Sequence, residues 1–595
     1  MAESKRVNPA PGVYRAEVWA HFGFHNEEGT TKIDKSHTIC KLCNGKIKYS
    51  GNTTNLRTHF AKITQSVLYF ICKDMRPLSV VENEGFRKMV NIMEPRYTLP
   101  SRQHITDIAV PRLYKEVKAR VAEALSSTDR VALTCDAWTS RATESYVTIT
   151  APHITEKCEL DTYVLQTRAL HVSHTGENIA DLLKEAVTEW RLEAKDPVIV
   201  TDNASNMNIA AKRADMTHIR CFAHSLNLAS QKAPKLPKVE RLLSRIRLVT
   251  TFFRRSTIAS HQLKQKQDLL QLPKHRLITD VVTRWNSSYD MIERFLEQQP
   301  EICAALLSTE VRKIEKDVFT LSETDITCAE EVLKALKPMK DATLVMSEES
   351  MPTLAIVAPL HAKLVMGTEE SSEDTQTVKE IKTVIAQDLG KRYGSEKETL
   401  FMASALDPRF KDLPFLSEAE TNDTYSKITA AVVAAIEKQH NQLEQIDSLV
   451  KETDQLKEVY HSADNVPALA SQLPIKRPRG SCALLDLLGA TFASTKDNAA
   501  QKSTHDVAAA EIKRFREETP LPLTENPLSW WKEHEHEYPQ LSRVAKSFLC
   551  IPGTSVSAER VFSTAGNIVT AQRSVLKAEH VDQLVFLHKN LDIKK

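Results

Sequence analysis

Hydrophobic and polar positions change rhythm along the 595 residues, and the changes divide the chain. From Arg130, Val131, Leu133 and Cys135 alternate with Ala132, Thr134 and Asp136. That is the two-residue period of a half-buried strand, which Asp136 is expected to end. Tyr146 to Thr150 and Thr162 to Val172 read as further strands. Ile179, Leu182, Leu183, Ala186, Val187 and Trp190 then fall at helical spacing. The run Pro197-Val-Ile-Val-Thr201 has the texture of a fully buried strand, with Asp202 directly after it. Strands interleaved with a helix predict an α/β sheet covered by helices.

The flanks have a different texture. Residues Thr64 to Leu125 are patterned as a small helical region broken by Pro95 and Pro100. From about Ala233 to Pro527 strand texture disappears and amphipathic helices dominate, among them Thr279 to Gln298, Ala329 to Lys340 and Thr424 to Lys438. Within this stretch Ser462 to Ser503 lose periodicity and read as a flexible connection. Its Lys476, Arg477 and Arg479 fit either a nuclear-import patch or a solvated linker. Helical patterning returns from Trp530 to Leu591, where Val581, Leu584, Val585 and Leu591 form an apolar stripe. The fold expected is α/β plus all-α, with no internal repeats.

A chain of this length holds about three to five domains. Hydrophobic residues at 42% and charged residues at 26% permit a substantial core. The net charge of +2 means that any nucleic-acid footprint is local. One such footprint stands at Lys32, Lys35, Lys41, Lys46, Lys48, Arg57 and Lys62, opposed by Asp34 alone. The 10 cysteines are scattered with one close pair, which suits a reducing, intracellular setting better than a disulfide framework. No run of 18 apolar residues and no apolar leader occurs, so neither membrane spanning nor secretion is expected. No GxxxxGK[ST] is present, so no nucleotide cofactor is expected.

Two groups of residues carry candidate chemistry. Cys40 and Cys43 have the C-x2-C spacing that brings two thiolates to one tetrahedral Zn²⁺, and His59 follows as a third ligand. A fourth is due three to five residues later, but Ile63, Thr64 and Gln65 stand there, and Cys72 lies well beyond. The second group is acidic. Asp136 and Asp202, at the ends of neighbouring strands, would lie at one sheet edge and could hold Mg²⁺ ions for phosphoryl transfer.

Val18-Trp19 and Phe22 ahead of the cysteines resemble the opening of a BED zinc finger, here truncated at its last ligand. Five further motifs follow in order: Cys135-Asp-Ala-Trp138-Thr-Ser140, Thr201-Asp-Asn-Ala-Ser-Asn-Met207, Cys221-Phe-Ala-His224-Ser-Leu-Asn-Leu228, Thr283-Arg-Trp-Asn-Ser287 and Ser557-Ala-Glu-Arg-Val-Phe-Ser563. Together they resemble the hAT superfamily of DNA transposases, on its Ac-like branch and near the BED zinc finger proteins, over Val18 to Asn590.

The resemblance implies an RNase H-like core interrupted by a long helical insertion, with Asp136, Asp202 and Glu559 as catalytic acids. It implies Zn²⁺ in the finger, weakened by the missing ligand, and Mg²⁺ or Mn²⁺ at the acids. Arg284 and Trp285 would hold a flipped base, Cys221 and His224 would lie near the active centre, and Trp19, Lys46, Lys48 and Arg57 would face DNA. The implied domains are 14–62 (finger), 63–128 (helical linker), 129–232 (first part of the core), 233–527 (insertion, with the flexible segment near 462–503) and 528–592 (dimerisation region completing the core). Trp530, Trp531, Phe562 and Leu584 would serve dimerisation, the two tryptophans fitting equally a buried anchor within one chain. The partners implied are double-stranded DNA and a second copy of the chain, in the nucleus. Three function classes remain: a transposase, a domesticated DNA-binding transcription regulator without catalysis, or a protein-interaction scaffold through the C-terminal region.

Overall fold

In a computed structural model of the chain, residues 8–10, 19, 22–26, 32–40, 46–50, 54–95, 97–140, 143–314, 317–460, 503–566 and 576–593 are described. For residue 40 and for 54–61 and 442–460 this is the backbone alone. Lys476, Arg477 and Arg479 lie outside these residues, as does almost all of the expected connection. The chain forms two compact units. One comprises Met1–Ser350, Thr375–Ile385 and Cys550–Lys595, and the other Met351–Asp374 and Ala386–Leu549.

The first unit opens with a small antiparallel sheet in sequence order: β1 (Asn8–Pro9), β2 (Phe22–Phe24), β3 (His37–Cys40) and β4 (Lys46–Lys48). Trp19, Phe22 and Phe24 are its buried centre, with Trp19 stacked on Phe24 at 5.4 Å and edge-on to Tyr49 at 5.2 Å. Helix α1 (Thr54–Lys73) leaves this sheet and ends in the main core, where Val67, Leu68, Ile71 and Cys72 are buried. The boundary expected at 62/63 therefore falls inside one helix.

The main sheet contains β5 (Ala132–Thr139), β6 (Ser145–Ile154), β7 (Leu160–Ala169), β8 (Val198–Thr201) and β9 (His218–Arg220), in the order β7-β6-β5-β8-β9. Strands β5, β6 and β7 are antiparallel neighbours, while β5, β8 and β9 run parallel. Parallel strands sit under helices on both faces, which is why Val198-Ile-Val-Thr201 is apolar throughout and wholly buried. Helices α2 (Val110–Ser126), α3 (Gly176–Glu189), α4 (Ser205–Arg213) and α5 (Phe222–Ser230) belong to this unit. Gly176 is required by close packing of α3 on α4: a Cβ there would stand 2.5 Å from Ile209 Cγ2. The three-residue β9 was not foreseen, because a single buried Ile219 between His218 and Arg220 shows no alternation.

The edge strand β7 is closed by the end of the chain. In α15 (Ala578–Asn590), whose Val581, Val585 and Phe586 join the main core, Asp582 Oδ1 accepts from Thr167 N at 2.6 Å. Asn590 accepts from Val164 N at 3.1 Å and donates to Val164 O at 2.7 Å. Two side chains thus take the place of a further strand, which would otherwise be an open template for pairing.

Much of the expected insertion belongs to this first unit: α6 (Pro237–Arg255), α7 (Trp285–Glu297) and α8 (Glu323–Val345) all do. The helix expected from Thr279 begins only at Trp285, because residues 281–284 make a turn closed by Arg284 N to Val281 O at 2.8 Å.

The second unit is helical, with α9 (Lys397–Ala405), α10 (Glu418–Tyr460), α11 (Thr504–Glu517), α12 (Pro527–Glu533) and α13 (Pro539–Leu549). Its centre is aromatic. Trp531 stacks on Phe515 at 5.2 Å and donates from Nε1 to Leu406 O at 3.0 Å. Buried Lys411 caps the carbonyl end of α11, donating to Phe515 O at 2.6 Å and to Glu518 O. A cation at this end complements the helix dipole and satisfies carbonyls that no amide can reach. Among the described residues no helix is long and apolar enough to cross a membrane.

Candidate active site

Parallel pairing of β5 with β8 sets Cys135 opposite Thr201, so Asp136 and Asp202 occupy successive positions at one end of adjacent strands. Asp136 does not end its strand, as the alternation suggested. Strand β5 runs on to Thr139, because the β5–β6 hairpin continues pairing, Asp136 with Thr148, beyond the point where β8 stops. Asp136 Oδ1 accepts from Ala137 N at 2.9 Å, and Asp202 Oδ1 accepts from Ala204 N at 3.1 Å, a tight turn into α4.

Glu559 arrives from the far end of the sequence, on the first turn of α14 (Val556–Ala565). That helix is pinned to the sheet by hydroxyls. Ser557 Oγ lies 3.1 Å from Thr134 Oγ1 and 3.3 Å from Thr150 Oγ1, which are themselves 2.6 Å apart. Thr134 is two residues before Asp136, hence on the same face of β5, so the cluster fixes Glu559 relative to the strand that carries Asp136. The approach to α14 is held as well, by Phe222 N to Gly553 O at 2.9 Å and Ser555 N to Cys221 Sγ at 3.3 Å.

The three acids lie within reach of one another's charge. Burial, then the charges of Glu559 and Asp202, push the Asp136 carboxyl up to about 7. Burial also raises Glu559, with Asp202 adding to the rise and the nearby His224 and Arg284 pulling against it. Negative charge here is therefore under-compensated, and the donor set is the all-oxygen kind that hard divalent cations prefer. Among the described residues, however, no group of three or more His, Cys, Asp or Glu side chains is drawn together closely enough to hold a metal ion.

The remaining expected residues are placed as follows. Cys221 is fully buried, its thiol raised by burial, and serves as acceptor for the Ser555 amide. His224 lies on α5 and Arg284 caps α7, both within electrostatic reach of Glu559. Trp285 is 2% exposed and edge-on to Tyr289, so its ring lies inside the protein. Trp19 is likewise buried, while Lys46 and Lys48 stand on one exposed face of β4. Cys40 ends β3 and His59 lies in α1, with only their backbones described, and Cys43 lies outside the described residues. Cys72 cannot complete the finger: it is fully buried among apolar side chains, which push its thiol up to about 12. Trp531 and Leu584 are core residues of their own units, and Phe562 packs on Trp138 at 6.2 Å. Trp530 is half-buried and stacks on His534 at 4.1 Å.

The hydroxyl cluster was not read from the sequence; the only signal was Ser557 two residues before Glu559. Ser557→Ala is expected to lower stability by about 1 kcal/mol, the usual net worth of such a hydrogen bond. Urea denaturation would check it, and an unchanged midpoint would remove the cluster from the account.

Four family descriptions match in chain order: BED zinc finger at residues 16–64, ZBED1 RNase-like domain at 134–220, ZBED1 RNase-like helical domain at 219–335, and hAT family C-terminal dimerisation region at 507–591. The chain belongs to the hAT superfamily. Similar proteins include zinc finger BED domain-containing protein 4 of Homo sapiens, 26% identical over 89% of this chain and 44% of the relative. Zinc finger BED domain-containing protein 6 of Mus musculus is 24% identical, over 89% of this chain and 55% of its own length. Putative AC transposase of Zea mays is 24% identical over 96% of this chain and 72% of the relative. The chain thus spans about half the length of the first two of these relatives. The hAT dimerisation match straddles both units, dividing at Leu549/Cys550.

Proposed function

We propose that this hAT protein is a nuclear, transposase-like DNA-binding protein that cuts and transfers DNA strands at Asp136, Asp202 and Glu559 and associates with a second copy through its C-terminal region. The observation that carries this reading is that Ser557, bonded to Thr134 and Thr150, ties the helix of Glu559 to the strand of Asp136, with Asp202 following the paired strand, so that acids from distant parts of the chain act on one another's charge. The order and direction of the five strands support an RNase H-like core. Asp136, Asp202 and Glu559 would have to draw closer together to hold Mg²⁺ or Mn²⁺, which would supply an activated water and stabilise the leaving oxygen in phosphoryl transfer. The chain's own residues do the positioning. Arg284, whose charge reaches Glu559, would meet a phosphate, and Ser557 ties the helix that carries Glu559 to β5. Cys40, Cys43 and His59 would hold Zn²⁺ in the finger, with Lys46, Lys48 and Arg57 set against the DNA backbone.

Incubation with duplexes of the flanking terminal repeats and Mn²⁺ or Mg²⁺ tests this. Nicks that vanish in Asp202→Ala while DNA binding persists are expected. Undiminished nicking by Asp202→Ala would overturn the assignment. Binding without any cleavage would favour the domesticated regulator.

A further inference from the structure

The aromatic ring expected to meet a DNA base, Trp285, is buried, and what the chain presents to solvent just before it is aliphatic. Val281 is 53% exposed and Val282 76%. These valines sit on a turn that is unusually well fastened. Arg284 N donates to Val281 O at 2.8 Å, and Val281 N donates to Ser287 Oγ at 2.7 Å. The same hydroxyl lies 2.9 Å from Val281 O and 2.6 Å from Arg284 O. Asp280, directly before the turn, accepts two bonds from Arg247 at 2.8 and 2.7 Å and one from Ser288 at 2.7 Å.

The turn is also tied to the helix of the candidate active site. Gln231, at the end of α5, donates from Nε2 to Thr283 O, and Asn227 of α5 accepts from Trp285 N at 3.4 Å. Helix α5 carries His224, which together with Arg284 acts on the charge of Glu559. Two branched side chains are therefore exposed on a well-fastened turn bonded to the helix that carries His224, whose own start is bonded to Gly553 and Ser555 just before α14 and Glu559. Apolar side chains that enter a base step unstack it, and a support already ordered loses little entropy in doing so.

We propose that Val281 and Val282 are a wedge that enters the DNA duplex beside the acids and separates the base pairs at the point of strand cutting. The proposal rests on the strand-cutting reading above and adds to it the means by which the duplex is opened. Arg284, two residues after Val282, takes the phosphate of the displaced nucleotide.

The test uses the full chain and terminal-repeat duplexes carrying 2-aminopurine at successive positions across the boundary between repeat and flank, with fluorescence reporting unstacking and anisotropy reporting binding. With the unsubstituted protein, fluorescence is expected to rise at one or two adjacent positions. Val281→Ser/Val282→Ser should lose that rise while still binding, and Val281→Leu/Val282→Leu should keep it. Asp202→Ala should also keep the rise, which separates opening from cleavage. Binding with no rise at any position, or a rise that survives the serine substitutions, would overturn the wedge and leave the DNA reading standing. No binding to any duplex would overturn both.

Discussion

Asp136→Asn is expected to stabilise the metal-free protein at neutral pH and, in the same variant, to end strand cleavage. Burial and the charges of Glu559 and Asp202 raise the Asp136 carboxyl from 3.8 to about 7, so the folded state holds this proton more tightly than the unfolded chain. A carboxyl with a raised folded pKa withholds stability progressively as pH climbs from the unfolded value to the folded one. At 1.36 kcal/mol per pH unit, discounted for partial solvent screening, the ionised group costs roughly 2–4 kcal/mol above pH 7. Asparagine removes the charge yet keeps an oxygen for Ala137 N, and its amide can donate to the remaining carboxylates. The gain in urea midpoint over the unsubstituted protein should be full at pH 8 and fade as pH falls toward 4. Loss of stability at pH 8 would show that the charge is already balanced in the fold. Saturating Mg²⁺ or Mn²⁺ should narrow the difference by stabilising only the protein with all three acids, since a ligand that binds only the folded state at 100 times its Kd adds about 2.7 kcal/mol.

This opposition of stability and activity explains what was legible beforehand. Asp202 follows a run of apolar residues that only a buried strand accommodates, so its place at a sheet edge could be read directly. Asp136 looked like a strand end because alternation cannot tell where the partner on one side stops and the other continues. Glu559 has no local signature. Its nearness to the aspartates is a long-range fact, and it was found through motif resemblance alone. Tertiary support was invisible for the same reason: Ser557, Thr134 and Thr150 are ordinary residues until the fold brings their hydroxyls together. Trp285 and Trp19 show the converse, since an aromatic residue that suits stacking on a base suits a protein core equally well.

Trp531→Ala is expected to be the most damaging single change in the second unit. The side chain is fully buried, stacks on Phe515 and donates to Leu406 O. Truncating a buried tryptophan to alanine costs about 3–5 kcal/mol through lost contacts and the cavity left behind. The orphaned carbonyl of Leu406 adds about 1 kcal/mol or more. The damage should spread along the bonded neighbourhood: Arg409 and Asp407 form a buried ion pair one residue past Leu406, and Lys411 reaches back to Phe515 O. Hydrogen exchange is the measurement, with peptides spanning residues 403–413 and 508–517 losing protection. Trp531→Phe, which keeps an aromatic ring against Phe515 but not the hydrogen bond, should lose about 1–3 kcal/mol by the same logic. If the protein associates through its C-terminal region, the alanine variant should also dissociate more readily, because Trp531 lies within the match to that region. Unchanged exchange in those peptides would show that Trp531 does not hold this aromatic centre together.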